Sequence, residues 1–185
     1  MKLFPNGIII QETSRPTNYI AKINYRGANA YHSEPLLGID NVVCKRLSDE
    51  ASSIRHADGS CTPKEFISDI DLASRYISQC RDMNIGIRVL FVESEYCEEI
   101  WNAPLPKLSF LGYEYSPIPF DCQVITDMDW YTPLHSFFPM LNQNGLFDSH
   151  EDILLFKEAY DAAVLKGDIG DDMETFICKI YEVII

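Results

Sequence analysis

Four histidines and six cysteines are the side chains of this 185-residue chain that most readily bind metals or act as nucleophiles. None of the histidines has another histidine or a cysteine two to four residues away, the offset at which one element holds a metal from one face. These histidines are His32, His56, His135 and His150. The six cysteines contain no Cys-x-x-Cys pair. We therefore expect neither a bound metal nor another cofactor.

Nucleophilic catalysis would need a Ser, Cys or Thr beside a base and an oxyanion hole. The chain contains no Gly-x-Ser-x-Gly elbow, no glycine-rich phosphate loop and no Gly-x-Gly-x-x-Gly motif. Neighbouring acids such as Glu98 and Glu99 are expected by chance among 28 acidic residues, so they indicate a solvated face. We predict that the protein is not an enzyme. The alternative is a small cytosolic enzyme with a dispersed site, for instance Cys61 or Cys122 with His135 and an acid.

Acidic and aromatic residues are mixed along residues 93 to 131. Rings supply buried area in a protein interface, while acids steer a basic partner towards it, so this mixture is typical of a protein-binding surface. Trp101 falls within it. The predicted partner-binding residues are Glu93, Glu95, Glu98, Glu99, Tyr113, Glu114, Tyr115, Asp121, Asp127, Asp129, Trp130 and Tyr131. The opposite interpretation, a place in the core, is favoured for most of Phe110, Leu111, Phe120, Phe137 and Phe138.

The charge of the chain is distributed unevenly. Residues 61 to 185 hold 8 Lys or Arg against 22 Asp or Glu, a balance of −14, whereas the whole chain carries −13. A surface of this sign repels phosphate backbones and anionic lipids, so we expect no binding to nucleic acid or to a membrane. A basic protein partner would be attracted, although acids also serve simply to keep a protein soluble.

Length and composition predict one globular domain spanning residues 1–185, because this is a usual size for a single core. The start of the chain shows no secretory signal, since Pro5, Asn6 and Gly7 interrupt the first apolar residues. No stretch approaches the roughly 20 apolar residues of a membrane helix. With its widely spaced cysteines, the chain is predicted to lie in the cytoplasm.

Two stretches resemble bacterial immunity proteins of polymorphic toxin and contact-dependent growth inhibition systems. The first is SFLGYEY; the second is LNQNGLFDSHEDILLFKEAYDAAVLKG, followed by KIYEV. Together they cover residues 107–115 and 141–183. The family often carries a Phe-Leu-Gly-Tyr-acid strand motif and a Gly-Leu-Phe-Asp turn before an acidic amphipathic helix. By this resemblance, Gly112 and Gly145 are structural.

The resemblance implies a cytoplasmic protein without enzymatic activity that neutralises one cognate toxin domain by binding it directly. Many such toxins are basic nucleases, and the acidic region offers the complementary field. No functional residue is carried over, because inhibitory surfaces in such families differ with each toxin. A regulatory protein-binding module remains the other non-enzymatic alternative.

The pattern of apolar residues predicts the strands that would position these residues. Alternation predicts a strand at NYIAKINYRG (18–27), with weaker candidates at GIIIQ (7–11) and NVVCKR (41–46). Residues 85–93, IGIRVLFVE, are apolar on both faces and predict a central strand under a helix. LSFLGYEY and QVITDMDW predict short or edge strands, because prolines surround them.

Capping signals predict the helices. Thr62, Pro63 and Glu65 form a capping box that would start a helix ending near Met83 and Asn84. A second helix would start at the cap Ser149 and stop at Gly167. A third would start at Asp171 or Asp172, with its end, KIYEVII, favoured as a strand. The expected fold is α+β, with mixed α/β possible, built on a mainly antiparallel or mixed sheet of about five to seven strands and three principal helices.

Overall fold

The structure is a computed structural model. It describes residues 2–17, 26–29, 54–55, 61–62, 67, 69–95, 101, 103–116, 128, 131–170 and 175–184. In chain order the strands are β1 (Phe4–Thr17), β2 (Arg26–Asn29), β3 (Ile54–Arg55), β4 (Cys61–Thr62), β5 (Ile87–Ser94), β6 (Leu108–Ser116) and β7 (Phe176–Val183). The main sheet has the order β2-β1-β5-β7-β6, and every pairing in it is antiparallel. The two-stranded pair β3-β4 is separate from it.

The α+β class is confirmed, and the sheet is antiparallel rather than mixed. The predicted five to seven strands were too many for its main body, which consists of the four long strands β1, β5, β7 and β6. The strand β2 adds only four residues at one edge. The helices in the described part are α1 (Ile70–Asp82), a 3₁₀ helix (Thr132–Met140) and α2 (His150–Lys166).

The strand predictions at 7–11 and 85–93 are confirmed. Strand β1 contains GIIIQ, and β5 lies between β1 and β7 in the sheet, as its apolar character on both faces indicates. LSFLGYEY is strand β6, which lies at the edge of the sheet. Of the predicted strand at 18–27, the structure describes only Arg26 and Gly27, and both belong to β2. The predicted strand at 41–46 and most of QVITDMDW lie outside the described residues.

Helix α1 begins seven residues later than the capping box predicts. Thr62 belongs to the two-residue strand β4, and Ile67 forms an antiparallel bridge with Ile8 through hydrogen bonds of 2.7 and 2.8 Å. An extended residue at this position cannot be part of a helix. The cap is Asp69, whose Oδ1 accepts a hydrogen bond of 2.9 Å from the Leu72 amide.

Helix α2 confirms the prediction at both ends. The Ser149 hydroxyl accepts a hydrogen bond from the Asp152 amide at 3.0 Å, and Gly167 ends the helix in the left-handed region with φ 77°. Its buried face consists of Ile153, Phe156, Tyr160 and Ala163. Their spacing of three and four residues places them on one face of the helix.

The predicted third helix was wrong, because residues 176 to 183 form strand β7. The spacing of Phe176, Ile177, Ile180 and Tyr181 is compatible with a helix, but these residues lie on both faces of a strand inside the sheet. Residues buried on two sides lose the alternation that identifies a strand. The preference for strand at KIYEV is confirmed.

Both α-helices pack on the same face of the sheet, which we call the helix face. Helix α1 covers Ile8, Ile10, Val89 and Phe91, and α2 covers Tyr115 and Ile177 further along. On the opposite face Leu146 packs against Ile9, Leu90, Val92, Cys178 and Ile180. No helix in the described part of the chain is long and apolar enough to cross a membrane.

Candidate functional site

The two α-helices leave a strip of the helix face open between them. On β7, Tyr181 packs against the core under α1 and Ile177 lies in the core under α2, so Lys179 falls between the two cores. On β6, Leu108 and Tyr113 likewise belong to the two cores and Phe110 lies between them. The side chain of Phe110 is 43% exposed.

A bulge at Gly112 determines which side chains of β6 point into this strip. The register shifts between Phe110 and Gly112, so Phe110 pairs with Tyr181 while Tyr113 pairs with Lys179. Directly paired residues in an antiparallel sheet project from the same face. Phe110 and Tyr113, three residues apart, therefore share the helix face, which regular alternation would forbid.

The side chains in the strip form one connected group, which we call the ring platform. The Phe110 ring lies 5.2 Å from that of Tyr113 and 5.9 Å from that of Tyr181, both in edge-on geometry. The Lys179 ammonium lies 5.3, 6.0 and 5.0 Å from the centres of the Phe110, Tyr113 and Tyr181 rings. Glu93 completes the group, because its carboxylate accepts a hydrogen bond of 2.7 Å from the Tyr181 hydroxyl.

Two contacts hold the platform rigid. Burial and the hydrogen bond to Glu93 raise the pKa of Tyr181, so its phenol keeps its proton and goes on donating to Glu93. The Tyr113 ring packs edge-on against His150, the first residue of α2, at 5.8 Å. Rings fixed in this way lose little conformational entropy when a partner covers them.

A groove of about 440 Å³ continues from Phe110 around the edge of β6. It is lined by Phe110, Leu111, Asn142, Gln143, Asn144 and Asp148. Asn142 shapes its wall, because the amide nitrogen donates to the Leu111 carbonyl at 2.8 Å and to Asp148 at 2.6 Å. The groove thus places polar side chains next to the exposed Phe110 ring.

Of the predicted partner-binding residues, Glu93 and Tyr113 are brought together in the ring platform, and both are half-buried. The backbone amide of Ile177 donates to the Glu95 carboxylate at 3.3 Å, where β7 meets the end of β5. The Tyr131 hydroxyl donates to Asp168 at 2.7 Å, just beyond the end of α2. The predicted surface is therefore divided among separate places.

The prediction that Tyr115 and Glu114 bind a partner was wrong. Their exposed fractions are only 3% and 4%, so they offer no surface area to a partner. Tyr115 pairs with Ile177 in the sheet and packs under α2, so its ring belongs to the core. Glu114 projects from the opposite face, where it pairs with Cys178. Trp101 is also buried, with its ring edge-on to Phe91 at 5.2 Å.

The Tyr115 hydroxyl is the centre of a polar network under α2. It donates to Asp161 at 2.6 Å and accepts from Lys157 at 3.0 Å and Thr175 at 2.7 Å, and Lys157 bonds Asp161 at 2.7 Å. Burial and then the Asp161 bond raise the pKa of Tyr115. Burial lowers the pKa of Lys157, but its bonds to Asp161 and Tyr115 outweigh this effect and raise it. The network fastens α2 to β6 and β7.

The other predicted partner-binding residues lie outside the described residues. They are Glu98, Glu99, Asp121, Asp127, Asp129 and Trp130. Among the rings expected in the core, Phe137 and Phe138 are half-buried against the core under α2, and Leu111 packs against the opposite face. Phe120 lies outside the described residues. Phe110 is the exception, because it is exposed.

Sequence reasoning missed Phe110, Lys179 and Tyr181 as surface residues. Phe110 was expected in the core, and neither Lys179 nor Tyr181, both in the segment KIYEVII that was favoured as a strand, was assigned to a surface. The usable signal was the glycine inside SFLGYEY, since an isolated glycine within a strand indicates a bulge. A bulge at Gly112 would have put Phe110 and Tyr113 on one face.

The described cysteine and histidine side chains lie among packed neighbours. No group of three or more His, Cys, Asp or Glu residues within the described ranges could hold a metal ion. Burial, with Glu114 and Glu95 nearby, raises the pKa of the Cys178 thiol, which keeps it protonated and a poor nucleophile. In the alternative dispersed site, His135 packs against Phe138 at 5.5 Å, while Cys122 and the Cys61 side chain lie outside the described residues.

Comparison of the chain with protein-family models, with curated proteins and with solved structures gives no match.

Proposed function

We propose that this protein is a cytoplasmic immunity protein that neutralises a cognate toxin domain by direct binding, without catalysis of its own. The observation that carries the proposal is the ring platform, an open strip of sheet where Phe110 is 43% exposed between two packed helices. Exposed aromatic rings fixed on a rigid element are the residues that dominate binding energy in protein interfaces.

The charge around the platform supports a basic partner. Helix α2 contacts the platform through its first residue, His150, and five exposed acids lie along this helix or within two residues of its ends. These are Asp148, Glu151, Glu158, Asp161 and Asp168, against the one exposed lysine there, Lys166. With a net charge of −13, this distribution attracts a positively charged toxin domain before contact and speeds association.

The direct trial is co-expression with the toxin domain encoded beside the gene of this protein. We expect wild type to restore growth, and Phe110→Ala to lose most of the protection because the ring most exposed on the platform is removed. Leu165→Ala is the matched control, since Leu165 is 90% exposed and lies outside the platform. Cells that die equally with and without the wild-type protein would contradict the proposal.

A further inference from the structure

The centre of the ring platform is a cation in a strongly acidic protein. Lys179 is half-buried, and its ammonium lies within 6.0 Å of three ring centres. The rings stabilise the ammonium through their electron-rich faces. The ring faces carry no lone pairs to replace the acceptors that its N–H groups use in water.

No carboxylate of the described residues lies at ion-pair distance from Lys179. Glu93 is directly opposite Lys179 in the register, yet its carboxylate accepts from the Tyr181 hydroxyl instead. The raised pKa of Tyr181 is consistent with that bond being retained. Within the platform, the Glu93 carboxylate therefore bonds the Tyr181 hydroxyl and forms no ion pair with Lys179.

A protein that covers the three rings must also cover the Lys179 ammonium, because the cation lies among them. An apolar surface placed there would remove water from a charge and give no acceptor in return, which is strongly unfavourable. A carboxylate in the same place would form a charge-assisted hydrogen bond in a site of low polarity.

We infer that the platform recognises a carboxylate side chain, an Asp or Glu flanked by apolar residues on the partner, and that Lys179 is the specificity-determining residue. The inference rests on the proposed function in taking the platform as the docking surface. The acids and Lys179 then have different roles. The distributed acids attract a basic partner at long range, whereas Lys179 selects one acidic side chain at contact.

Selection from a phage-displayed random peptide library on the immobilised full-length protein tests this without the toxin. We expect wild type to enrich peptides with Asp or Glu beside aromatic or aliphatic residues. Lys179→Glu should enrich Lys or Arg peptides instead, because the charge at the centre is reversed. Lys107→Glu, the same change at an exposed residue just before β6, should keep the wild-type preference. Enrichment without an acidic preference, the same preference in Lys179→Glu, or no enrichment at all would overturn the inference.

The affinity of one enriched peptide, measured by fluorescence anisotropy, shows how much Lys179 contributes to binding. Lys179→Gln should weaken binding roughly tenfold or more, and Lys179→Arg should restore most of it. Thermal unfolding of each variant shows whether it is folded, and Lys179→Arg covers the case in which Lys179→Gln is not. Equal affinities of wild type and Lys179→Gln would contradict the role of Lys179. Failure of toxin co-expression alone would refute the immunity function and leave this result standing.

Discussion

At the residue scale, Gly112 decides which rings of β6 face outward. Its φ of 147° lies in the region that glycine favours, and an added Cβ would meet the Leu146 Cβ at 2.6 Å and the Phe147 carbonyl at 2.9 Å. The bulge at Gly112 exposes Phe110 and leaves Tyr115 in the core. Residue type alone does not distinguish these two rings, so Phe110 was predicted in the core and Tyr115 on the surface, the reverse of the structure.

Gly112→Ala should destabilise the protein by about 3 kcal/mol or more, because it combines a strained backbone with a steric clash against Leu146. Gly170→Ala is the control, since nothing lies within 4 Å of its Cβ position, and it should change stability by only a few tenths of a kcal/mol. Urea unfolding monitored by circular dichroism measures both. Equal unfolding free energies for the two variants would contradict the structural role of Gly112.

Tyr181 should give a signature at alkaline pH. Its pKa in the folded state is above the ordinary value near 10, so the folded protein keeps a proton that the unfolded chain loses. The contribution of this group to stability is complete below about pH 10 and is lost as the pH rises further. We expect the unfolding free energy to fall less steeply above about pH 10 in Tyr181→Phe than in wild type, measured by urea unfolding across this range. Identical slopes would show that Tyr181 is not held by Glu93.

At the element scale, local signals predicted the elements whose ends are determined locally. Helix α2 carries its own cap and stop, Ser149 and Gly167, and both were identified from the sequence. Strand β5 was identified from its dense apolar run. The start of α1 was misplaced because the bridge between Ile67 and Ile8 joins residues far apart in sequence, which no local pattern reports. The first residues of β7, Phe176 to Cys178, were misread as part of a helix because both faces of this strand carry buried residues.

The cap of α1 gives an element-scale prediction. Asp69→Ala should lower the unfolding free energy by about 1 kcal/mol, because the Leu72 amide loses its acceptor. Asp69→Asn keeps an acceptor of the same shape and should cost much less, which separates the hydrogen bond from the charge. Urea unfolding of both variants measures the difference. If the two substitutions have the same effect, Asp69 does not cap the helix through its side chain.

At the scale of the whole molecule, the protein combines a net negative charge with a small aromatic platform. The sequence predicted the charge directly, since composition alone determines it. It did not predict the platform, because strands β5, β6 and β7 come together only in the folded sheet. Of the predicted acidic and aromatic surface, Glu93 and Tyr113 lie half-buried in the platform, whereas the prediction was wrong for Tyr115 and Glu114, whose burial follows from strand pairing.

Long-range attraction between this acidic protein and a basic toxin domain should make their association rate depend on salt. We expect the association rate constant with the toxin domain to fall at least about tenfold as ionic strength rises from about 0.02 to about 0.5 M, because salt screens the acidic field. The dissociation rate constant should change much less, since short-range contacts on the platform determine it. Stopped-flow fluorescence measures both constants. An association rate constant that is independent of salt would show that charge has no part in steering the partner.

The central claim, that the ring platform is the docking surface, is tested most directly by the dissociation constant of the toxin domain for Phe110→Ala relative to wild type. Isothermal titration calorimetry should show binding at least about 30-fold weaker for Phe110→Ala, as expected for a ring that dominates an interface, and unchanged binding for Leu165→Ala. Equal dissociation constants for wild type and Phe110→Ala would contradict the claim.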